Sequence, residues 1–325
     1  MKRLAAAMAA VSVAMAAMAP AAHAEDAYPN RPVKLIVPFT PATGIDILAR
    51  TLGQKLSDEW KVPVVVENRP GASGAIGTEA VAQSPADGYT LLMQASTIVI
   101  DPSLHRKAPY DPVKDFAPVT PLALGSLGLV VHPSVKAESV KELVALAKSQ
   151  PGKLTYASPG SGTPHHLAME LFKQRTGIDV LHVPYKGTGG AVQDLLGGQV
   201  NMMFLPIHVA LSQVKAGKLR LLAAGGTRRA AVTPDTPSLA EASGVADIDV
   251  DIWYAMYAPA ATPPAVVAKL NADVNRLLKS PDVAATLSKQ GLTPTGGSAE
   301  QLGELTRKDL ERWAKVVRDA KISAD

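Results

Sequence analysis

Two short segments of this 325-residue chain carry residues suited to holding an anion. The first is Pro38-Phe39-Thr40-Pro41-Ala42-Thr43-Gly44, between the apolar run 33–37 and a helix expected near Ile45. The second is Ser158-Pro159-Gly160-Ser161-Gly162-Thr163, between the run 153–157 and a helix expected near Pro164. Each brings small and hydroxyl residues to a helix N-terminus at the carboxyl end of a strand. Unpaired N–H groups and the positive end of the helix dipole favour an anion there, and ligands of open α/β sheets bind at the same edge. One loop per lobe would make two half-sites facing each other across a cleft. Taken singly, each loop also reads as an ordinary strand–helix turn. Thr43 and Asp46 then form a capping pair, and Thr163-Pro164 an N-cap followed by proline.

Single residues divide between site and scaffold. Asp46 reads more naturally as a helix cap than as a ligand contact, because a carboxylate repels an anionic ligand; a direct role requires a ligand with an ammonium or a shared proton. His166, about one turn into the second helix, is placed to orient Ser158 or Ser161, with packing or capping equally open. His165 is expected to face solvent. Trp253, on the expected hinge strand, either contacts an aromatic or aliphatic ligand or, as the default, has a core role, and Lys186 either neutralises a distal carboxylate or pairs with an acidic neighbour. His165-His166 lacks the i, i+4 spacing and intervening Glu of a zinc helix, so no metal site is expected. Gly160-Ser161-Gly162 is not the hydrolase elbow, which leaves a Ser161–His166 serine hydrolase as a minor alternative. Gly71, Gly74 and Gly77 are spaced by three and fail the dinucleotide fingerprint; no cofactor is expected.

The elements that must position these loops alternate along the chain. Runs 33–37, 62–66, 89–93, 128–132, 153–157, 179–183, 219–223 and 252–258 read as short buried strands. Helical faces intervene, one made by Ile45, Leu48, Ala49, Leu52 and Leu56, another by Val266, Val267, Leu270, Val274, Leu277 and Leu278. Ser139-x-x-Glu142 and Ser298-x-x-Gln301 look like capping boxes, and Pro263-Pro264 suits a first helical turn. The alternation implies an α/β fold with open, largely parallel sheets covered on both faces. Pro/Gly-rich stretches at 118–128 and 233–244, each followed by an apolar strand, mark two crossings between lobes.

Residues 1–24 read as a secretory signal peptide. Lys2 and Arg3 precede the apolar run 4–18, and Ala22-His23-Ala24 supplies the small residues of a cleavage site. The run is shorter than the ~20 residues of a bilayer span, so export to the periplasm is expected. About 300 residues remain, more than one core usually supports. There is no Cys, hence no disulfide, thiolate metal site or Cys nucleophile. The formal charge of +4 includes Lys2 and Arg3 of the leader, and basic residues are scattered, which gives no footprint for nucleic acid.

Further motifs resemble one family over essentially the whole mature chain. They begin at Tyr28-Pro29-Asn30-Arg31-Pro32 and Leu35-Ile36-Val37-Pro38-Phe39, with Asp46 and Ala49-Arg50. They continue through Val64-Val65-Val66-Glu67-Asn68-Arg69-Pro70-Gly71, Ile76-Gly77 and Asp87-Gly88-Tyr89-Thr90-Leu91-Leu92. Tyr156-Ala157-Ser158, His166-Leu167, His182-Val183-Pro184-Tyr185-Lys186-Gly187, Asp194-Leu195-Leu196-Gly197-Gly198 and Trp253-Tyr254 follow in order. The chain resembles the Bug family, the extracytoplasmic receptors of tripartite tricarboxylate transporters.

That resemblance implies a type II periplasmic-binding-protein fold with a two-strand hinge. One lobe would be discontinuous, 25–127 and 250–325, and the other would span 128–249. It implies a monomeric receptor that captures a small organic carboxylate, a dicarboxylate or aromatic acid being favoured, and hands it to membrane permease subunits. A periplasmic sensor acting on a kinase is the alternative. One wall of the site would be Phe39, Thr40, Ala42, Thr43, Gly44 and Asp46 with Ala95, Ser96 and Thr97. The other would be Ser158, Ser161, Gly162, Thr163, His166 and the segment around Leu205. The family commonly has paired glycines where Ala42-Thr43 stand, often Asn in place of Ala75, and sometimes an acid in place of Leu205. Added Cβ atoms limit how closely a backbone approaches a ligand.

Overall fold

The computed structural model describes residues 28–105, 108–246, 248–320 and 322, so the leader expected over 1–24 lies outside the described residues. Strands and helices alternate as the periodicity predicts. The order is β1 Val33–Val37, α1 Gly44–Trp60, β2 Val64–Asn68, α2 Ala75–Ala82, β3 Thr90–Ala95, α3 Thr97–Ile100, β4 Phe116–Gly125 and β5 Leu127–Val131. Then come α4 Val140–Ser149, β6 Thr155–Ser158, α5 Pro164–Thr176, β7 Leu181–Pro184, α6 Thr188–Leu196, β8 Met202–Pro206, α7 Ile207–Lys215 and β9 Arg220–Ala224. The chain ends with α8 Leu239–Ser243, β10 Ile252–Pro259, α9 Pro264–Leu278, α10 Pro281–Lys289, β11 Leu292–Pro294 and α11 Ala299–Asp319. Short 3-10 turns lie at Ala72–Gly74 and Asp101–Ser103.

The strands form two sheets, ordered β11-β4-β10-β3-β1-β2 and β7-β6-β8-β5-β9. The chain passes from the first sheet to the second at Ser126 and returns between β9 and β10. Both sheets are mixed, where the sequence suggested largely parallel ones. β1–β2, β1–β3, β6–β7 and β6–β8 are parallel, and the pairs involving β4, β5 and β10 are antiparallel. The cause lies in the crossings. β10 enters the first sheet where β3 finishes, with Tyr254 opposite Ala95, and must run the other way.

The stretch 118–128, read from sequence as a boundary, is mostly β4 near the centre of the first sheet. Proline lacks the N–H a central strand needs and is tolerated at bulges. Here Pro118 faces Tyr257 and Pro121 faces Ala255, each beside a register shift in the β4–β10 ladder. The core follows the predicted helical faces. Ile45, Leu48, Ala49, Leu52 and Leu56 of α1 are buried, as are Leu270, Val274, Leu277 and Leu278 of α9. Trp253 is buried too, its indole N–H donating to Asp309 Oδ2 at 2.7 Å, which is the core role. Lys186 is exposed.

Candidate functional site

The two loops are built alike, residue for residue. Ala42 and Gly162, two residues before their helices, both adopt the left-handed region, with φ of 66° and 74°. Thr43 and Thr163 follow at the N-cap, extended, and neither caps its helix with its side chain. Each hydroxyl donates backward to the carbonyl three residues earlier, Thr43 to Thr40 at 3.0 Å and Thr163 to Gly160 at 2.8 Å. The third helical residue then accepts the amide four residues before it. Asp46 Oδ2 takes Ala42 N–H at 2.9 Å, and His166 Nδ1 takes Gly162 N–H at 3.0 Å. The first turn of each helix is thereby left uncapped at its own N–H groups. Those of Gly44, Ile45 and Asp46 are free of intrahelical bonds in the first loop, and those of His165 and His166 in the second, where Pro164 has none.

Different chemistries hold the two loops. Asp46 is buried and also accepts from Arg50 Nε at 3.0 Å and Asn68 Nδ2 at 2.9 Å. Burial would raise its pKa, but the hydrogen bonds from Arg50, Asn68 and the Ala42 amide outweigh that and lower it. In the second loop, Ser158 Oγ lies 2.6 Å from His182 Nε2, donates to Gly160 O and accepts Gly160 N–H. His166 stacks on His182 at 3.9 Å, and His182 stacks on Tyr156 at 4.8 Å. Burial pushes His166 down to about 3, helped by His182 and Lys173, and His182 down to about 4. The second loop is thus anchored on neutral rings.

The two sheet edges meet through the turn at Ala72–Gly74. Ser73 Oγ donates to Ser161 O at 3.0 Å, and a Cβ at Gly74 would lie 3.0 Å from the Phe39 ring. A Cβ at Gly162 would fall 1.9 Å from Leu104 Cδ1, so only glycine admits this approach. Sequence reasoning did not place Ser73, Leu104, Asn68 or His182 in the site. The three-residue spacing of Gly71, Gly74 and Gly77 was the available signal. It marks close backbone approach, with a Cβ at Gly77 only 2.7 Å from Arg69 O.

Of the predicted residues, Phe39, Thr40, Ala42, Thr43 and Gly44 share the first loop with Asp46. Ala95 and Ser96 are buried at the end of β3, Ser96 N–H donating to Trp253 O at 2.9 Å. Ser158, Ser161, Gly162, Thr163 and His166 form the second loop. The Ser158 hydroxyl is committed to its own loop and His182. Leu205 is fully buried in the core of the second sheet with Val130, Ala157 and Met203, next to the carboxyl end of β8. His165, expected in solvent, is half-buried, with both ring nitrogens covered. A groove of about 460 Å³ beside Leu124, Trp253, Gln301, Glu304 and Lys308 contains no residue of either loop. Among the described residues no cluster of His, Asp or Glu suits a metal ion.

Known proteins share this architecture and sequence. Residues 48–322 match the family described as tripartite tricarboxylate transporter family receptor. Protein BugT of Bordetella pertussis is 39% identical over 296 residues, covering 90% of each chain. An R. palustris structure solved with adipate superposes with a TM-score of 0.85 at 35% identity, covering 91% of this chain and 99% of that one. Periplasmic binding protein BugD gives 0.82 at 31%, covering 91% and 99%. MatC from Rhodopseudomonas palustris with bound malate gives 0.80 at 30%, covering 89% and 100%. These relatives are solute-binding proteins, not enzymes.

Proposed function

The chain belongs to the tripartite tricarboxylate transporter receptor family, and from that premise we propose that it captures a small organic acid between its two loops. The doubled loop geometry carries this reading. One carboxylate would take the free amides at the start of α1, and the other polar end would take those at the start of α5. Solved relatives with adipate and malate support the ligand class. Thr43, Ser161 and the amides of Gly44 and His165 would touch the ligand; Asp46, Ser158 and His166 would shape the loops. The lobes would be 25–127 with 250–325, and 128–249, turning about the strands on either side of Ser126 and Ile252. Ligand would bridge both loops only when the lobes are closed, so binding would shift an open–closed equilibrium. The closed monomer would then dock on permease subunits at the periplasmic face of the membrane. The leader would be removed after Ala24.

Thermal-shift and tryptophan-fluorescence titrations against mono-, di- and tricarboxylates, aromatic acids and amino acids test this. A rise in melting temperature with one or more acids is expected. No response from any acid in that panel sinks the carboxylate reading. A serine hydrolase has less support, since His166 Nδ1 is taken by the Gly162 amide and its ring face by His182.

A further inference from the structure

His165 is the second residue of α5 and the counterpart of Ile45 in the first loop. His166 and His182 use ring nitrogens to hold Gly162 and Ser158. Both nitrogens of His165, by contrast, are buried without a hydrogen-bond partner. A neutral imidazole carries one donor and one acceptor, and buried polar atoms are seldom left unpaired in native proteins. Such a pair calls for a group that the protein itself does not supply.

His165 is half-buried at the start of α5 and shares its helical phase with Ala168, Met169 and Phe172, at three-, four- and seven-residue spacing, which are fully buried. Phe172 meets Phe204 of β8 edge to face, ring centroids 6.2 Å apart. β8 runs parallel to β6, and α5 leads back from the carboxyl end of β6. Two turns earlier on α5, His165 therefore stands over the carboxyl edge of the second sheet, where the Ser158–Thr163 loop sits. The first sheet offers an independent counterpart. Thr97, at the start of α3 beyond β3, is 1% exposed, and its Oγ1 also lacks a partner. Each ligand-binding edge thus holds a buried polar group with an unmade hydrogen bond. Burial pushes the His165 pKa down to about 4, so the ring meets a ligand as a neutral donor and acceptor.

We propose that His165 contacts the second polar group of the bound acid and, with Thr97 opposite, selects acids carrying such a group over monocarboxylates of equal length. This rests on the organic-acid reading of the site. The test is calorimetric titration of wild type, His165→Ala, His165→Gln and Thr97→Val with adipate and hexanoate, malate and butanoate, phthalate and benzoate. Melting of each unliganded variant is recorded alongside. His165→Ala should weaken the preferred diacid about tenfold or more while leaving its monoacid partner within about twofold. His165→Gln, which keeps a donor and an acceptor, should recover most of the loss. Because no made hydrogen bond is removed, unliganded His165→Ala should lose only the packing of the ring, and His165→Gln should melt close to wild type. Thr97→Val should reproduce the selective loss at similar size. Unchanged diacid affinity, or equal loss for diacid and monoacid, or a lower unliganded melting temperature with unchanged selectivity, overturns the proposal while the organic-acid reading stands. A wild type that binds none of these acids, nor any other acid of the thermal-shift panel, removes both.

Discussion

The two loops have one backbone plan and opposite anchors. In the first, a carboxylate accepts the loop amide, and a cation, an amide side chain and burial tune it. In the second, a neutral imidazole accepts the equivalent amide and leans on a stack of rings. An anion at the first loop finds three first-turn amides but also Asp46, whose charge is partly offset by Arg50. At the second it finds two amides and no formal negative charge among the anchors. The backbone geometry is therefore not tied to one side-chain chemistry. What the anchor decides is how each loop responds to pH, to truncation and to crowding.

Removing the charged anchor should do the most harm. Asp46→Ala leaves the Ala42 amide, Asn68 and Arg50 without their shared acceptor, at a cost of about 2–3 kcal/mol, reduced because Arg50 is half exposed. Urea unfolding measures it. The Asp46 pKa is lowered in the folded state, so its contribution is present above the ordinary carboxylate pKa and is lost as pH falls through the folded value. The gap between wild type and Asp46→Ala should accordingly close in strong acid. A gap of the same size at both ends of that range would mean that the charge is not what holds the loop.

Gly162→Ala tests crowding at the second loop. The left-handed φ costs an alanine roughly 1–2 kcal/mol, and its Cβ would strike Leu104 from the facing edge. Stability should drop by that amount and acid binding by more, since the clash arises where the lobes meet. Leu104→Ala in the same chain should return part of the binding and none of the backbone cost. Binding that is unaffected in the single variant would show that the lobes need not approach this closely around ligand.

The neutral anchor is expected to fail at milder pH than the charged one. His166 and His182 are depressed on folding, so the unfolded chain binds more protons below about pH 6.5. Their stabilising effect is complete above that value and fades as pH falls toward about 3 to 4. Melting curves should show about 3–4 kcal/mol lost between pH 7 and 5 for the two rings together, with His182→Gln roughly halving the slope. An equal slope in the variant would place the titration elsewhere.

Much of this plan was legible because local chemistry dictates it. Hydroxyl-rich loops after short apolar runs, the buried face of α1, and the Ser298–Gln301 box, found with both bonds made, all follow from neighbours in sequence. The Ser139–Glu142 pair is half made: Ser139 accepts the Glu142 amide, but the Glu142 carboxylate takes Glu138 N–H instead. What stayed hidden depends on distant partners. β4 keeps two prolines because β10 shifts register beside them, and β8 lacks the alternation that marks a half-buried strand. The Tyr156–His182–His166 stack joins β6, β7 and α5, and no spacing rule announces it. His165 looked solvent-facing beside His166, although its phase on α5 matches Ala168 and Phe172.

The smallest expected effect is the most specific to this chain. Ala42 holds the same left-handed position as Gly162 but is exposed, so its Cβ meets no Leu104 equivalent and only the backbone is strained. Ala42→Gly relieves that strain of about 1–2 kcal/mol and adds unfolded-chain entropy worth about 0.4–1 kcal/mol in the other direction. The net gain in stability should lie between about 0 and 1.6 kcal/mol. Its consequence for binding should be larger than for folding, because the first-turn amides of α1 lose a neighbouring methyl. Bulkier acids should gain affinity relative to slender ones in a titration series, and the second loop, already glycine there, gives the reference for how far that opening can go. If the series keeps its order in Ala42→Gly, the Cβ does not shape the pocket, and the difference between the loops reduces to their anchors.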